Sequence, residues 1–193
     1  MPRLLPGHRQ PLGLTSLPGV LAVEPAPGGV AVRPFTAEDA AAVAGIYAHH
    51  VEHSVATFDL EAPGPADWLA RIAEITGAGW PFLVAVDGPD VVGFGYVSPW
   101  RARPAYAATV EDTVYLAPGR SGRGTGRALL SAVLDRAAAA GARQSIAVIA
   151  DSGDPASQAL HRALGFVEAG RLRRVGFKHG RWLDVVLMQA PLG

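Results

Sequence analysis

From Val30 onward the hydrophobic positions change period in a regular order, short β-like runs giving way to helical ones and back. Residues 30–34 read as a short strand, and Thr36 with Asp39 three positions later marks a helix start that places Val43, Ile46, Tyr47 and His50 on one face. A second helix is predicted over 66–76, where Trp68, Leu69, Ile72 and Ile75 recur at helical spacing before Gly77 and Gly79 end it. Two apolar runs, 82–86 and 91–97, flank Asp87-Gly88-Pro89-Asp90 and predict a hairpin. A strand over 110–116 is followed by a glycine-dense turn and a helix to about Ala140, then by a buried strand over 145–149. Asp154 is placed to cap a short helix with Pro155 in its first turn and Gly165 at its end, and two last strands are predicted over 172–177 and 183–188. The order is that of an α/β (α+β) domain with a mixed sheet.

Residues 1–29 show neither period. They are dense in Pro and Gly and read as a loosely ordered arm ahead of one domain over 30–193. Without a continuous apolar stretch or a cleavage site, the arm does not read as a secretory signal.

Composition narrows the class. With 193 residues, 49% of them hydrophobic, the chain is long enough for one full core. Balanced charge, 17 basic against 17 acidic residues, argues against a nucleic-acid partner bound by general attraction. No apolar run approaches the roughly 20 residues of a membrane span, so no membrane partner is expected. The absence of cysteine excludes disulfides, thiolate metal sites and a cysteine nucleophile, fits a cytoplasmic location and leaves no metal expected.

The turn carries the most chemistry. In GRSGRGTGRALL, Gly122, Gly124 and Gly126 free the backbone for positive φ and close approach, while amides opening the next helix point outward with the positive end of its dipole. Arg120, Arg123 and Arg127 add positive charge, so the expected ligand is an anionic cofactor with a pyrophosphate. A P-loop needs Lys then Ser or Thr after Gly124, but Thr125 and Gly126 stand there. A dinucleotide fingerprint begun at Gly124 would find Leu129 at its third glycine position.

The loop resembles the acyl-CoA pyrophosphate loop of the GNAT N-acetyltransferases. The acyl transfer from a thioester to an amine that this resemblance implies needs a group that takes the ammonium proton, which a carboxylate on the strand before the loop can do. Glu111 is the candidate base, and Asp112 points to the opposite face of a regular strand. An amide near Leu116 is placed to hold the thioester carbonyl. His161, on the short helix, has the chemistry for acid or base work near neutral pH and equally that of a buried structural histidine. Arg103 offers a fork suited to a carboxylate or phosphinate, beside Trp100 and Tyr106.

Ser121-x-x-Gly124-x-Gly126 resembles the acyl-CoA pyrophosphate loop of the GNAT N-acetyltransferases. WRARPAY, TVEDTVYL, the glycine loop, Asp154-Pro155, His161 with Gly165-Phe166, and GFKHGRWLD follow the order of the phosphinothricin acetyltransferase branch of that family. The resemblance implies a GNAT fold, its sheet mostly antiparallel, with acetyl-CoA as co-substrate and a homodimer as the assembly. It gives Glu111 and His161 catalytic roles and sets Phe58, Arg103, Tyr106 and Lys178 near the acceptor. Acetyl-CoA falls to Val114, Tyr115, Leu116, Ser121, Gly122, Arg123, Gly124, Thr125, Gly126 and Arg127. Ser121, Phe166 and Gly153 depart from the family's Gln, Tyr and Asn. The implied acceptor is a small amino-acid-like amine of the phosphinothricin, methionine sulfoximine or methionine sulfone type. Another amine (a different amino acid, a polyamine or a protein terminus) and a non-catalytic acyl-CoA sensor stay open.

Overall fold

The computed structural model describes residues 29–193, so the expected N-terminal arm lies, apart from Gly29, outside the described residues. Seven strands form one sheet in the order β1-β2-β3-β4-β5-β7-β6. They are β1 (Val30–Pro34), β2 (Phe82–Asp87), β3 (Asp90–Pro99), β4 (Thr109–Leu116), β5 (Gln144–Ala150), β6 (Val167–Lys178) and β7 (Arg181–Pro191). Every pairing is antiparallel except β4 with β5. The helices are α1 (Ala40–His53), α2 (Pro65–Gly77), α3 (Thr125–Ala139) and α4 (Ala156–Ala163).

The alternation along each strand divides the core between two faces. On one, α1 and α2 pack Val43, Tyr47, Trp68 and Ile72 against Phe82, Val84, Phe94 and Tyr96. On the other, α3 packs Leu129, Leu130 and Val133 against Leu83, Val97, Val110 and Met188, and Leu160 of α4 joins that cluster.

Local chemistry sets the helix ends. Asp39 accepts from the Thr36 amide at 2.8 Å and from both guanidinium nitrogens of Arg33 at 2.7 Å, so the start of α1 is tied to β1. The hydrogen bond from Arg33 holds the Asp39 carboxyl below its ordinary range. Asp154 accepts from the Ala156 amide at 2.9 Å just ahead of α4, whose N-cap is Pro155 and not Asp154 as its position suggested.

Two further expectations need correction. Leu69 does not join the buried stripe of α2; Trp68, Ile72 and Ile75 face the sheet while Leu69 is exposed. The sixth strand begins at Val167 rather than near 172, because its first half is polar and mostly exposed and presents no apolar period. It is also irregular, with register breaks at Glu168/Gly170 and Leu172/Gly176 and Arg174 at φ 53°.

Candidate active site

The sheet opens where its only parallel pair stops. β4 and β5 pair from Thr109↔Gln144 to Asp112↔Ala147, and beyond that register each strand runs on without the other. The gap forms a cavity of about 480 Å³, lined by Glu111 to Leu116 on β4 and by Ala147 to Ala150 on β5. Backbone groups freed by the divergence are available to a ligand lying between the strands.

The glycine loop closes one end. Ser121, Gly122, Gly124, Gly126 and Arg127 line the cavity with Val114, Tyr115 and Leu116, whereas Arg123 and Thr125 do not reach it. Gly122 and Gly124 take φ +76° and +82°, but Gly126 does not take positive φ as expected; it lies in the first turn of α3. The first helical bond there joins Ala128 N to the Gly124 carbonyl at 3.0 Å, so the amides of Thr125, Gly126 and Arg127 have no partner within the helix. These amides, with the dipole behind them, suit a phosphate. Arg120 is committed elsewhere, donating to Asp87 at 2.6 Å and fastening the loop to the β2–β3 hairpin. His50 of α1, which the sequence placed on the packed face of its helix but not in the site, lines the cavity and donates Nε2–H to the Leu116 carbonyl at 2.8 Å. Burial pushes its imidazole down, so it stays neutral there.

Glu111 and Asp112 face opposite sides of the sheet. Asp112, with Val110, looks toward the α3 side, where its carboxylate accepts from His161 Nε2 at 2.9 Å and Ser145 Oγ at 3.0 Å. His161 is 3% exposed, and its Nδ1 donates to the Ser157 carbonyl at 2.7 Å. A carbonyl can only accept, so Nδ1 carries hydrogen, and Nε2 meets a carboxylate. Burial alone would push this imidazole down; the hydrogen bond and charge of Asp112 outweigh it and raise its pKa. His161 thus bonds through both ring nitrogens and joins α4 to β4.

Glu111 is different. Its side chain has no hydrogen bond to any described residue, and it lines the cavity from the α1/α2 side. Burial, then the nearby Asp112 charge, raises its pKa against the opposing fields of Arg101 and Arg71. A carboxylate in that setting is a better proton acceptor than one in water.

The four expected acceptor residues separate into two groups. Phe58 and Lys178 come together: the Phe58 ring lies over Gly176, and Lys178 Nζ donates to the Thr57 carbonyl at 2.8 Å. With His179 Nε2 donating to the Ser54 carbonyl at 3.2 Å, β6 and its turn clasp the segment between α1 and α2. Lys178 is buried, which lowers its pKa. Arg103 and Tyr106 lie on the exposed β3–β4 connection, and no described contact joins either to Lys178. The cations whose field reaches Glu111 are Arg101 and Arg71, neither of which the sequence put forward.

Residues 39–166 match the family model described as the acetyltransferase (GNAT) family. The chain belongs to that family. GNAT relatives agree with it over most of its length. A phosphinothricin N-acetyltransferase from Alcaligenes faecalis is 45% identical over 175 residues, covering 91% of this chain and 89% of the relative. An L-methionine sulfoximine/L-methionine sulfone acetyltransferase from Salmonella typhimurium is 36% identical over 154 residues, covering 80% and 90%. The crystal structure of a phosphinothricin acetyltransferase from Sinorhizobium meliloti, in complex with AcCoA, superposes with a TM-score of 0.82 at 45% identity, covering 86% of this chain and 89% of that one. The GNAT fold expected from the sequence is therefore the fold observed. Among the described residues no cluster of three or more His, Asp or Glu could hold a metal ion, and no helix is long and apolar enough to cross a membrane.

Proposed function

We propose that this GNAT enzyme transfers the acetyl group of acetyl-CoA directly to the amine of a small amino-acid-like acceptor, of the phosphinothricin, methionine sulfoximine or methionine sulfone type. The observation that carries the reading is Glu111: an unpartnered carboxylate with a raised pKa, at a cavity whose other end is the amide-rich opening of α3. The co-substrate's pyrophosphate rests on the amides around Gly124 to Arg127, and its thioester lies along the unpaired end of β4. Glu111 takes a proton from the acceptor ammonium. The freed amine attacks the thioester carbonyl, a β4 amide supports the oxygen as charge develops on it, and the CoA thiolate leaves. His161 acts in this reading as a positioning residue, since both nitrogens of its ring are engaged, by the Ser157 carbonyl and the Asp112 carboxylate.

The same reading places the enzyme in the cytoplasm as a homodimer. Support for the pairing is the edge strand β6, which exposes Val167, Leu172, Val175 and Phe177, with Trp182 of β7 against Phe177 at 5.3 Å between ring centroids. A thiol-release assay with acetyl-CoA and a panel of amino acids, polyamines and peptide termini tests the function. Turnover confined to small amino-acid-like amines is expected; CoA binding without thiol release from any amine would overturn it.

A further inference from the structure

Arg71 is a cation with a platform and no partner. Its guanidinium lies 5.4 Å from the ring centroid of Trp68 and 5.5 Å from that of Tyr96, both of them buried aromatics. Among the described residues it makes no ion pair, whereas Arg33, Arg120 and Arg171 are all paired with carboxylates. Stacking fixes the plane of an arginine and leaves the edge of its fork free for a planar anion. Tyr96 stands opposite Thr113 in the β3–β4 register, and Glu111 stands opposite Ser98 on the same face. Arg71 of α2 therefore lies over the same face of the sheet as Glu111, beside the residues that line the cavity rather than among them. The field of Arg71 at Glu111 agrees with that placement.

Stereochemistry gives the juxtaposition its meaning. In an α-amino acid the carboxylate is attached to the carbon that bears the amine, so it must settle beside whichever group receives the ammonium proton. Arg101, the other cation near Glu111, is stacked on Trp100 at 4.2 Å and donates to the Trp100 carbonyl. Arg103, on the connection between β3 and β4, has no aromatic platform among the described residues. We propose that Arg71 binds the α-carboxylate of the acceptor and so selects α-amino acids over simple amines. The proposal rests on the acetyltransferase reading and names the group that recognises its substrate.

Arg71→Met keeps an aliphatic cover over Trp68 and Tyr96 but removes the charge, and Arg71→Lys keeps the charge but loses the fork. Methionine sulfone and its carboxamide serve as the acceptor pair, with kcat and KM from thiol release and Kd from calorimetry on CoA-loaded protein. Arg71→Met should raise KM and Kd for the amino acid by about tenfold to a hundredfold, with little change for the carboxamide or in the acetyl-CoA KM, and Arg71→Lys should recover part of the loss. An equal loss on both acceptors, as a purely packing role would produce, overturns the proposal, as does no loss on either. A wild-type protein that binds the amino acid no tighter than the carboxamide also overturns it. If the wild type binds the amino acid but releases no thiol, the acetyltransferase reading fails while calorimetry still tests Arg71.

Discussion

Glu111 and His161 lie on opposite sides of the sheet and differ in hydrogen bonding, so their variants should fail in different ways. Glu111→Gln preserves shape and removes basicity; kcat should fall by about 10² to 10⁴ with CoA affinity nearly unchanged. The loss should shrink as pH rises toward the pKa of the amine, because solvent then supplies free amine. In the wild type the base works only when ionised, so the acid limb of kcat/KM should sit above the ordinary glutamate range, following the upward shift caused by burial. A Glu111→Gln enzyme with wild-type kcat at neutral pH would remove Glu111 from the mechanism. His161→Gln instead leaves Asp112 buried without its imidazole partner, and breaking a buried pair typically costs about 3–5 kcal/mol of stability. The pKa of His161 is raised in the folded state, so its linkage contribution is complete below the unfolded value of 6.5 and is lost as pH climbs through the folded one. Denaturant melts of wild type and variant should accordingly show a gap that is widest in mild acid and narrows toward alkaline pH; a gap that widens with pH would mean that the ring is neutral in the fold. Alternation along a strand was enough to separate Glu111 from Asp112 in advance. That His161 would meet Asp112 was not legible, because the two are brought together by α4 returning to the sheet across 49 positions of chain.

At the scale of elements, the clasp between β6 and the segment joining α1 to α2 holds Phe58 and Lys178, two of the residues proposed for the acceptor side. A Cβ built at Gly176 would come within 2.3 Å of the Phe58 ring, so Gly176→Ala must push that ring aside. Phe58 is 39% exposed and has room to swing, so the fold should survive while the acceptor KM rises several-fold and CoA affinity holds. Steady-state kinetics with each substrate varied in turn checks this; an unchanged acceptor KM would take Phe58 out of the acceptor wall. The helices, the hairpin and the glycine turn were legible because each is specified by neighbours in sequence: a cap, a 3.6 period or a turn dipeptide. The first half of β6 was not, since an exposed edge strand has no face to bury and needs no apolar period. Gly126 was misread for a related reason. Its neighbours made it look like loop, but the bond from Ala128 N to the Gly124 carbonyl already places it inside α3.

For the molecule as a whole, the domain beginning at Val30 is expected to be self-sufficient. Deleting residues 1–28 should leave turnover and solubility intact, and assay of the truncated protein beside the full chain decides it; an inactive or insoluble product would show that those residues complete the fold or the assembly. The sequence by itself determined the class of fold, the order of elements and the glycine turn that opens α3, because each is encoded by local period, capping or turn chemistry within a short stretch; it also put Glu111 forward as the candidate base. Only the tertiary structure decided where the sheet parts between β4 and β5, and that both nitrogens of His161 are engaged. It also decided that Arg71, from a helix far back in the chain, lies over Tyr96, on the face of the sheet that carries Glu111. Those facts depend on which distant segments pack together, and a side chain's partners across a sheet are set by the closing of the core and not by its neighbours in sequence.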